Sequence, residues 1–217
     1  MTGCSFPKPE NFQIEKGLKK QMKIYLASAS PRRKEILKQV GISFKVVPST
    51  VEEHVTSTEP HKVVEELSYQ KAVDVCGKLS ETKDEDFVVI GADTVVACWG
   101  EILGKPKDKQ DATDMLQKLS GQSHQVYTGV TIAWKYKGTP AMFHTFHECT
   151  DVTMYAVSEE DIEAYVNSLE PMDKAGAYAL QGGYAKHIQG ICGDYYNVVG
   201  LPIGRLYQEL KKRNLLS

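Results

Sequence analysis

The chain has 217 residues, 41% of them hydrophobic and 25% charged, with a formal net charge of −2. That is globular composition, long enough for one large domain or two small lobes sharing a cleft. The charge balance excludes a general nucleic-acid binder, which carries a strong basic excess, but leaves room for a local basic pocket.

The cysteines Cys4, Cys76, Cys98, Cys149 and Cys192 are odd in number and scattered. They contain no CxxC pair, so neither a disulfide framework nor a zinc site is expected, and a reduced cytoplasmic setting is. No apolar run approaches the ~20 residues that span a bilayer, so no membrane partner is expected. Residues 1–22 carry Lys8, Glu10, Glu15, Lys16, Lys19 and Lys20 and no apolar h-region, and read as a surface extension, not a secretory signal. Residues 23–217 then form a single domain of two intertwined lobes, since no repeat or linker divides them.

Apolar strands alternate with capped helices from the start, the pattern of an α/β domain. A strand is predicted at 24–27. Ser30 then stands as N-cap with Pro31 at the first helical position, and the helix carries Ile36, Leu37 and Val40 until Gly41 stops it. A strand over 44–47 precedes a helix over 58–79, with Val64, Leu67, Lys71 and Val75 at helical spacing. Strands at 87–90 and 95–98 flank a Gly-Ala-Asp-Thr break. A helix begins at Asp108 and ends at Gly121. Strands at 125–134 and 143–155 pair across the turn Lys137-Gly138-Thr139-Pro140. Ser158 caps a helix whose first turn is loaded with Glu159, Glu160 and Asp161, as the helix dipole favours. The last helix starts near Pro202 and ends in Lys211, Lys212 and Arg213.

Local violations of these rules are where function is sought, and each concerns charge. Arg32 and Arg33 stand in the first turn of a helix, where cations oppose the dipole. Either they point to solvent, or an anion sits there and meets free N–H groups, small hydroxyl residues and two guanidinium groups at once. Asp93 lies between two apolar runs. Either it caps backbone amides in a hairpin turn, or it is a buried carboxylate that needs a metal or a lysine. Lys71 falls on the apolar stripe of its helix, to snorkel from the edge or to reach a cleft. Lys105, in Gly104-Lys105-Pro106, is held extended by the proline, as a fixed point charge or a plain surface turn.

Together these segments resemble the Maf family of nucleoside triphosphate pyrophosphatases. The resemblance runs from Lys23 to about Tyr207 through LASASPRR (26–33), Glu52-Glu53, GADTVV (91–96), GKP (104–106), LSGQSHQVYTGV (119–130), DKAGAYALQG (173–182) and NVVGLP (197–202). It implies a Maf/inosine triphosphatase-like α/β fold, a mixed twisted sheet with flanking helices and two lobes around a deep nucleotide cleft. It also implies hydrolysis of a nucleotide to its monophosphate and pyrophosphate, a magnesium or manganese ion, and a homodimer. Asp93 matches the family's proton acceptor. Ser28, Arg32, Arg33, Lys71 and Lys105 match phosphate-contacting positions, with Lys71 and Lys105 stabilising the charge that develops during catalysis. Glu52 or Glu53 joins Asp93 near the metal. Arg32, Thr94 and Gln181 match positions tied to substrate choice.

The segment Asp173–Tyr178 followed by Gln181-Gly182 resembles the branch acting on dTTP and UTP, with CTP or modified pyrimidine nucleotides also in range. The 7-methyl-GTP branch differs there, with a serine and a phenylalanine after its Ala-Gly pair. A side-chain amide at Gln181 can match O4 and N3–H of uracil or thymine. A rival from another class is a nucleotide-binding regulator of cell division without turnover, against which the joint presence of Asp93, Lys71 and Lys105 counts. His144 and His147 fall on opposite faces of their predicted strand and make no metal pair. His124 reads as a structural hydrogen-bonder, Trp99 and Trp134 as packing residues, and Lys211–Arg213 as a solvated helix end.

Overall fold

The structure, a computed structural model, describes residues 22–82 and 85–216. The expected extension therefore lies, save for Met22, outside the described residues. In chain order the elements are β1 (Lys23–Leu26), α1 (Pro31–Gln39), β2 (Lys45–Val46), α2 (Pro60–Thr82), β3 (Phe87–Cys98) and β4 (Glu101–Leu103). They continue with α3 (Lys109–Leu119), β5 (Ser123–Lys135), β6 (Met142–Met154) and α4 (Glu159–Asn167). Short 3-10 turns at Glu170–Asp173, Ala175–Ala177 and Gly183–His187 lead to β7 (Ile188–Cys192), α5 (Tyr195–Val199) and α6 (Ile203–Lys212). No helix among the described residues is long and apolar enough to cross a membrane.

The helix ends follow their capping residues. Asp108 accepts from the Asp111 N–H and Ser158 from the Asp161 N–H, each closing the first turn of its helix. Gly41 takes φ +73° just past α1. Ser30 occupies the N-cap position of α1 but makes no side-chain cap. Instead its N–H donates to Ser28 Oγ at 3.2 Å.

The strands form one mixed sheet in the order β2-β1-β3-β5-β6-β7, with β4 beside β3. β1 runs parallel to both β2 and β3, and the other pairs are antiparallel. The break expected at Gly91–Thr94 is absent: β3 is one strand through Asp93, and the full segment from Phe87 to Ala97 pairs with β5. What is interrupted is its other edge. β1 pairs with residues 87–90 and β4 with residues 96–98, so among the described residues Gly91–Val95 have β5 as their only strand partner. The sheet is split open there, and the two lobes part around the gap.

Alternation along β3 assigns each residue a face. Ile90 and Ala92 join Leu37 of α1, Val130 and Ile132 of β5, and Leu206 and Leu210 of α6 in one core. Val89 packs on the opposite face with Ala72, Val75 and Leu79 of α2. Past the gap, Val96 and Cys98 belong to the second lobe, with Leu116 of α3 and Ile162 and Val166 of α4. Each such valine, leucine or isoleucine side chain contributes about 1.5–3 kcal/mol by leaving water. Helix α2 crosses the middle of the sheet so closely that a Cβ on Gly91 would strike the Ser68 carbonyl oxygen, and one on Gly129 the Val64 carbonyl. Those two glycines let the helix lie directly on the strands and bring Lys71 to the gap.

The two tryptophans part company. Trp134 packs against the first core, but Trp99 is 72% exposed. It forms with Gly100 the two-residue turn between β3 and β4, both at positive φ (51° and 81°). A hairpin of this twist demands positive φ at both turn residues, and that geometry turns the indole outward.

Candidate active site

The gap in the sheet is the floor of a cleft of about 740 Å³, within the size range of small-molecule sites. Its wall includes Ser28, Arg32, Arg33, Glu53, Lys71, Asp93, Thr94, Lys105, Asp173, Lys174 and Gln181. The cations Arg32, Arg33, Lys71, Lys105 and Lys174 outnumber the carboxylates Glu53, Asp93 and Asp173 there, so the cleft favours an anion although the whole chain is slightly acidic. Glu52 is exposed and takes no part in the wall, unlike Glu53 beside it.

Asp93 and Thr94, neighbours on β3, point to opposite faces. Asp93 turns toward α2, where Lys71 Nζ donates to its Oδ1 at 2.5 Å. The same Nζ lies 2.8 Å from Glu53 Oε1. Side-chain exposure is 16% for Lys71 and 15% for Asp93, against 49% for Glu53. Lys71 thus reaches the cleft instead of snorkelling, and it offsets the cost of half-burying a carboxylate. Asp93 keeps Oδ2 without a protein partner among the described residues.

Glu53 arrives on an irregular strap, residues 47–59, laced to one face of α2. Asp74 Oδ2 accepts from Ser49 Oγ (2.8 Å) and the Thr50 N–H (3.0 Å). Gln70 Oε1 accepts from the His54 N–H (3.0 Å), and Glu66 Oε2 from the Thr56 N–H (2.8 Å). Glu66, Gln70 and Asp74 succeed one another at helical i, i+4 spacing, so a single helix face fixes the path of the strap.

Thr94 turns the other way, to α1. Arg33 spends three of its five N–H groups inside the protein. Nε donates to the Gly200 carbonyl at 2.8 Å, Nη1 to Ser28 Oγ at 3.1 Å and Nη2 to Thr94 Oγ1 at 3.0 Å. Burial pushes the guanidinium pKa below its ordinary value, with the Asp93 charge pulling the other way. Proton directions beyond it are fixed by the acceptors. Thr128 Oγ1 donates to the Asn197 carbonyl at 2.9 Å, so the 2.9 Å contact between Thr94 and Thr128 has Thr94 as donor. Asn197 Nδ2 then donates to the Val126 carbonyl and to Thr150 Oγ1, each at 2.9 Å. The Thr94 hydroxyl is spent within the protein. By contrast Ser28 Oγ accepts from both Ser30 N–H and Arg33, which leaves its own proton to point at a ligand.

Arg32 and Lys105 make no hydrogen bond or ion pair among the described residues. They line the cleft as free cations, and Gln181 is likewise an exposed amide without a protein partner. Thr128, Asn197 and Lys174 were not singled out in the sequence, although all three lie in quoted motifs. Lys174 Nζ donates to Asp173 Oδ1 at 2.6 Å and to the Glu170 carbonyl.

Among the remaining histidines, His124 is fully buried, its Nε2 2.7 Å from Tyr178 OH. Burial lowers its pKa to about 4, so it is neutral at pH 7. His144 contacts Glu209 of α6 and His147 contacts Glu65 of α2, opposite faces of β6.

A split α/β sheet whose gap collects cations around a lysine-held carboxylate defines a protein built to take a polyanion between two lobes. The family model for Maf-like proteins matches residues 23–213. The dTTP/UTP pyrophosphatase of Agathobacter rectalis is 55% identical over 197 residues, covering 87% of this chain and 96% of that one. The protein of the same name from Lachnoclostridium phytofermentans is 53% identical over 189 residues, covering 87% and 94%. Among solved structures, the Ham1 protein of Staphylococcus aureus aligns at 14% identity and a TM-score of 0.39, covering 88% of this chain and 99% of that one. The chain belongs to the Maf-like family.

Proposed function

We propose that this chain is a nucleoside triphosphate pyrophosphatase that hydrolyses dTTP and UTP to the monophosphate and pyrophosphate. The observation that carries this reading is the Lys71–Asp93 pair at the open edge of β3, set in a cleft with two unpartnered cations, Arg32 and Lys105. The names of the relatives supply the nucleotides.

Attack of water on the α-phosphorus with departure of pyrophosphate asks for charge neutralisation and orientation more than covalent chemistry. Asp93, clamped at Oδ1 by Lys71, takes the proton of the attacking water through its free Oδ2. Arg32, Lys105 and the remaining N–H groups of Lys71 and Arg33 neutralise the phosphates, and Ser28 donates its free hydroxyl proton to a phosphate oxygen. Gln181 matches the pyrimidine edge. The donor set suits magnesium or manganese, which use one or two carboxylates and complete their shell with phosphate and water. Asp93 and Glu53 would hold such an ion, with Glu52 outside the wall, and it would supply Lewis-acid neutralisation of phosphate charge. A nucleotide substrate supports a cytoplasmic setting, and the family resemblance supports a homodimer.

Pyrophosphate release over a panel of dTTP, UTP, dCTP, dATP, dGTP and 7-methyl-GTP, with magnesium and with EDTA, tests this. Metal-dependent release from dTTP and UTP ahead of the others is expected. Binding without release on any nucleotide would make the protein a nucleotide-binding regulator instead.

A further inference from the structure

Gln181 sits on a short irregular segment between Tyr178 and the 3-10 turn that begins at Gly183. Ala179 is buried and Leu180 packs against the second core, but Ala179, Leu180 and Gln181 make no hydrogen bond among the described residues. Both ends are tied. At the first, the Tyr178 hydroxyl meets the buried ring of His124 at 2.7 Å. At the second, the carboxylate of Glu170 divides its oxygens between two partners. Its Oε2 accepts from the Gly183 N–H and its Oε1 from the Tyr165 hydroxyl, both at 3.1 Å. Gly182 lies so close that a Cβ there would collide with Glu170 Oε1. Tyr165 is itself buried on α4, its ring 4.7 Å from that of Tyr184.

We propose that Glu170 is a positioning residue for nucleobase discrimination, acting through the Gly182-Gly183 peptide to aim Gln181 across the cleft. The inference rests on the proposed reading of Gln181 as the base-matching amide. An amide discriminates uracil-type from cytosine-type edges only if its oxygen and nitrogen are held in register with the base, because a freely turning amide satisfies either pattern. Side-chain length gives Gln181 no such rigidity, and no protein group grips its amide. The register must come from the backbone, and Glu170 is the group that fixes that backbone on the side nearest Gln181. Its separation from the reaction matters: Glu170 is not part of the cleft wall that holds Asp93, Lys71 and Lys105.

The test is steady-state pyrophosphate release by the full chain on dTTP and dCTP, for Glu170→Ala, Glu170→Gln, Gly182→Ala and Gln181→Ala. Glu170→Ala should lower the dTTP-over-dCTP ratio of kcat/KM about tenfold, through KM, with kcat on dTTP changed far less. Glu170→Gln should restore the ratio, because its amide oxygen accepts from Gly183 while its NH2 donates to the Tyr165 hydroxyl. Gly182→Ala displaces the carboxylate by collision while leaving Glu170 in the chain, and should mimic Glu170→Ala, which keeps the test open if the latter folds poorly. Adding Gly182→Ala to Glu170→Ala should change the ratio little further.

A ratio unmoved by Glu170→Ala and Gly182→Ala, while Gln181→Ala does move it, overturns the inference and leaves the base-matching role standing. A ratio unmoved by Gln181→Ala removes that role and the inference with it. Equal loss of kcat on both nucleotides in the Glu170 and Gly182 variants means a structural role only, and also overturns it.

Discussion

Lys71 Nζ and Asp93 Oδ1 meet at 2.5 Å across the interface between α2 and β3, at the place where β3 has lost a strand neighbour on one side. Replacing Asp93 by Asn keeps the shape and removes the proton acceptor. Turnover should fall by about 10²–10⁴-fold, with the thermal midpoint nearly unchanged. Pyrophosphate release and a melting curve on the same sample check both halves; unchanged turnover would refute the assignment.

Glu53 and Glu52 are adjacent, yet only Glu53 touches Lys71 and the cleft. Glu53→Gln should raise the magnesium concentration needed for half-maximal rate, while Glu52→Gln should leave the metal titration where it was. Equal shifts in both variants would contradict the difference in their positions.

Thr94 carries a relay from Arg33 to Thr128. Thr94→Val is nearly isosteric but leaves one guanidinium N–H without its acceptor and Thr128 Oγ1 without its donor. Stability in urea should drop by about 1–3 kcal/mol, and KM for the triphosphate should rise as Arg33 loses its fixed pose.

His124 is fully buried, with a folded-state pKa of about 4 set by burial against an ordinary 6.5. Between those values the unfolded chain binds the proton and the folded one does not, so stability falls as pH drops through this window. The loss should approach about 3 kcal/mol near pH 4. His144 and His187 also have lowered values, and remain in both proteins when wild type is compared with His124→Gln. Urea unfolding at pH 7 and at pH 4.5 should show a smaller pH dependence in the variant.

Gly129→Ala places a Cβ against the Val64 carbonyl of α2. The helix must lift from the sheet, at a cost of about 1–3 kcal/mol. Because Lys71 rides on that helix, activity should fall together with stability.

Much of this architecture was readable where local chemistry decides. Asp108 and Ser158 marked their helices through capping bonds that depend on neighbours three residues away. Ile90 and Val95 marked a buried strand through composition. Elsewhere the signal lay in the partner. Gly91-Ala92-Asp93-Thr94 has the composition of a turn, yet it continues a strand, because Gly91 is small for α2 and Asp93 is polar for Lys71. Ile188–Cys192 is mostly exposed and shows no apolar alternation to announce β7. Trp99 at positive φ breaks the usual glycine-and-asparagine habit of tight hairpins, which hid β4. In the site, the motif residues Arg32, Lys71, Asp93 and Lys105 all reach one cleft. The division of labour between Arg32, left free, and Arg33, knotted into Ser28, Thr94 and Gly200, depends on segments far apart in sequence.

The one-sided pairing of Gly91–Val95 has a further bearing on how such a cleft could be dissected. In a paired strand, successive peptide groups turn their N–H and C=O alternately to the two sides, so some of those belonging to this stretch face the opening instead of a neighbouring strand. An exposed strand border of this kind normally invites other chains to pair with it; recessed between two lobes, it is reachable by a small solute and shielded from a second polypeptide. The groups it offers belong to the main chain. Replacing every side chain of the wall in turn would leave them in place, and an alanine scan would report a residual grip that no single residue accounts for.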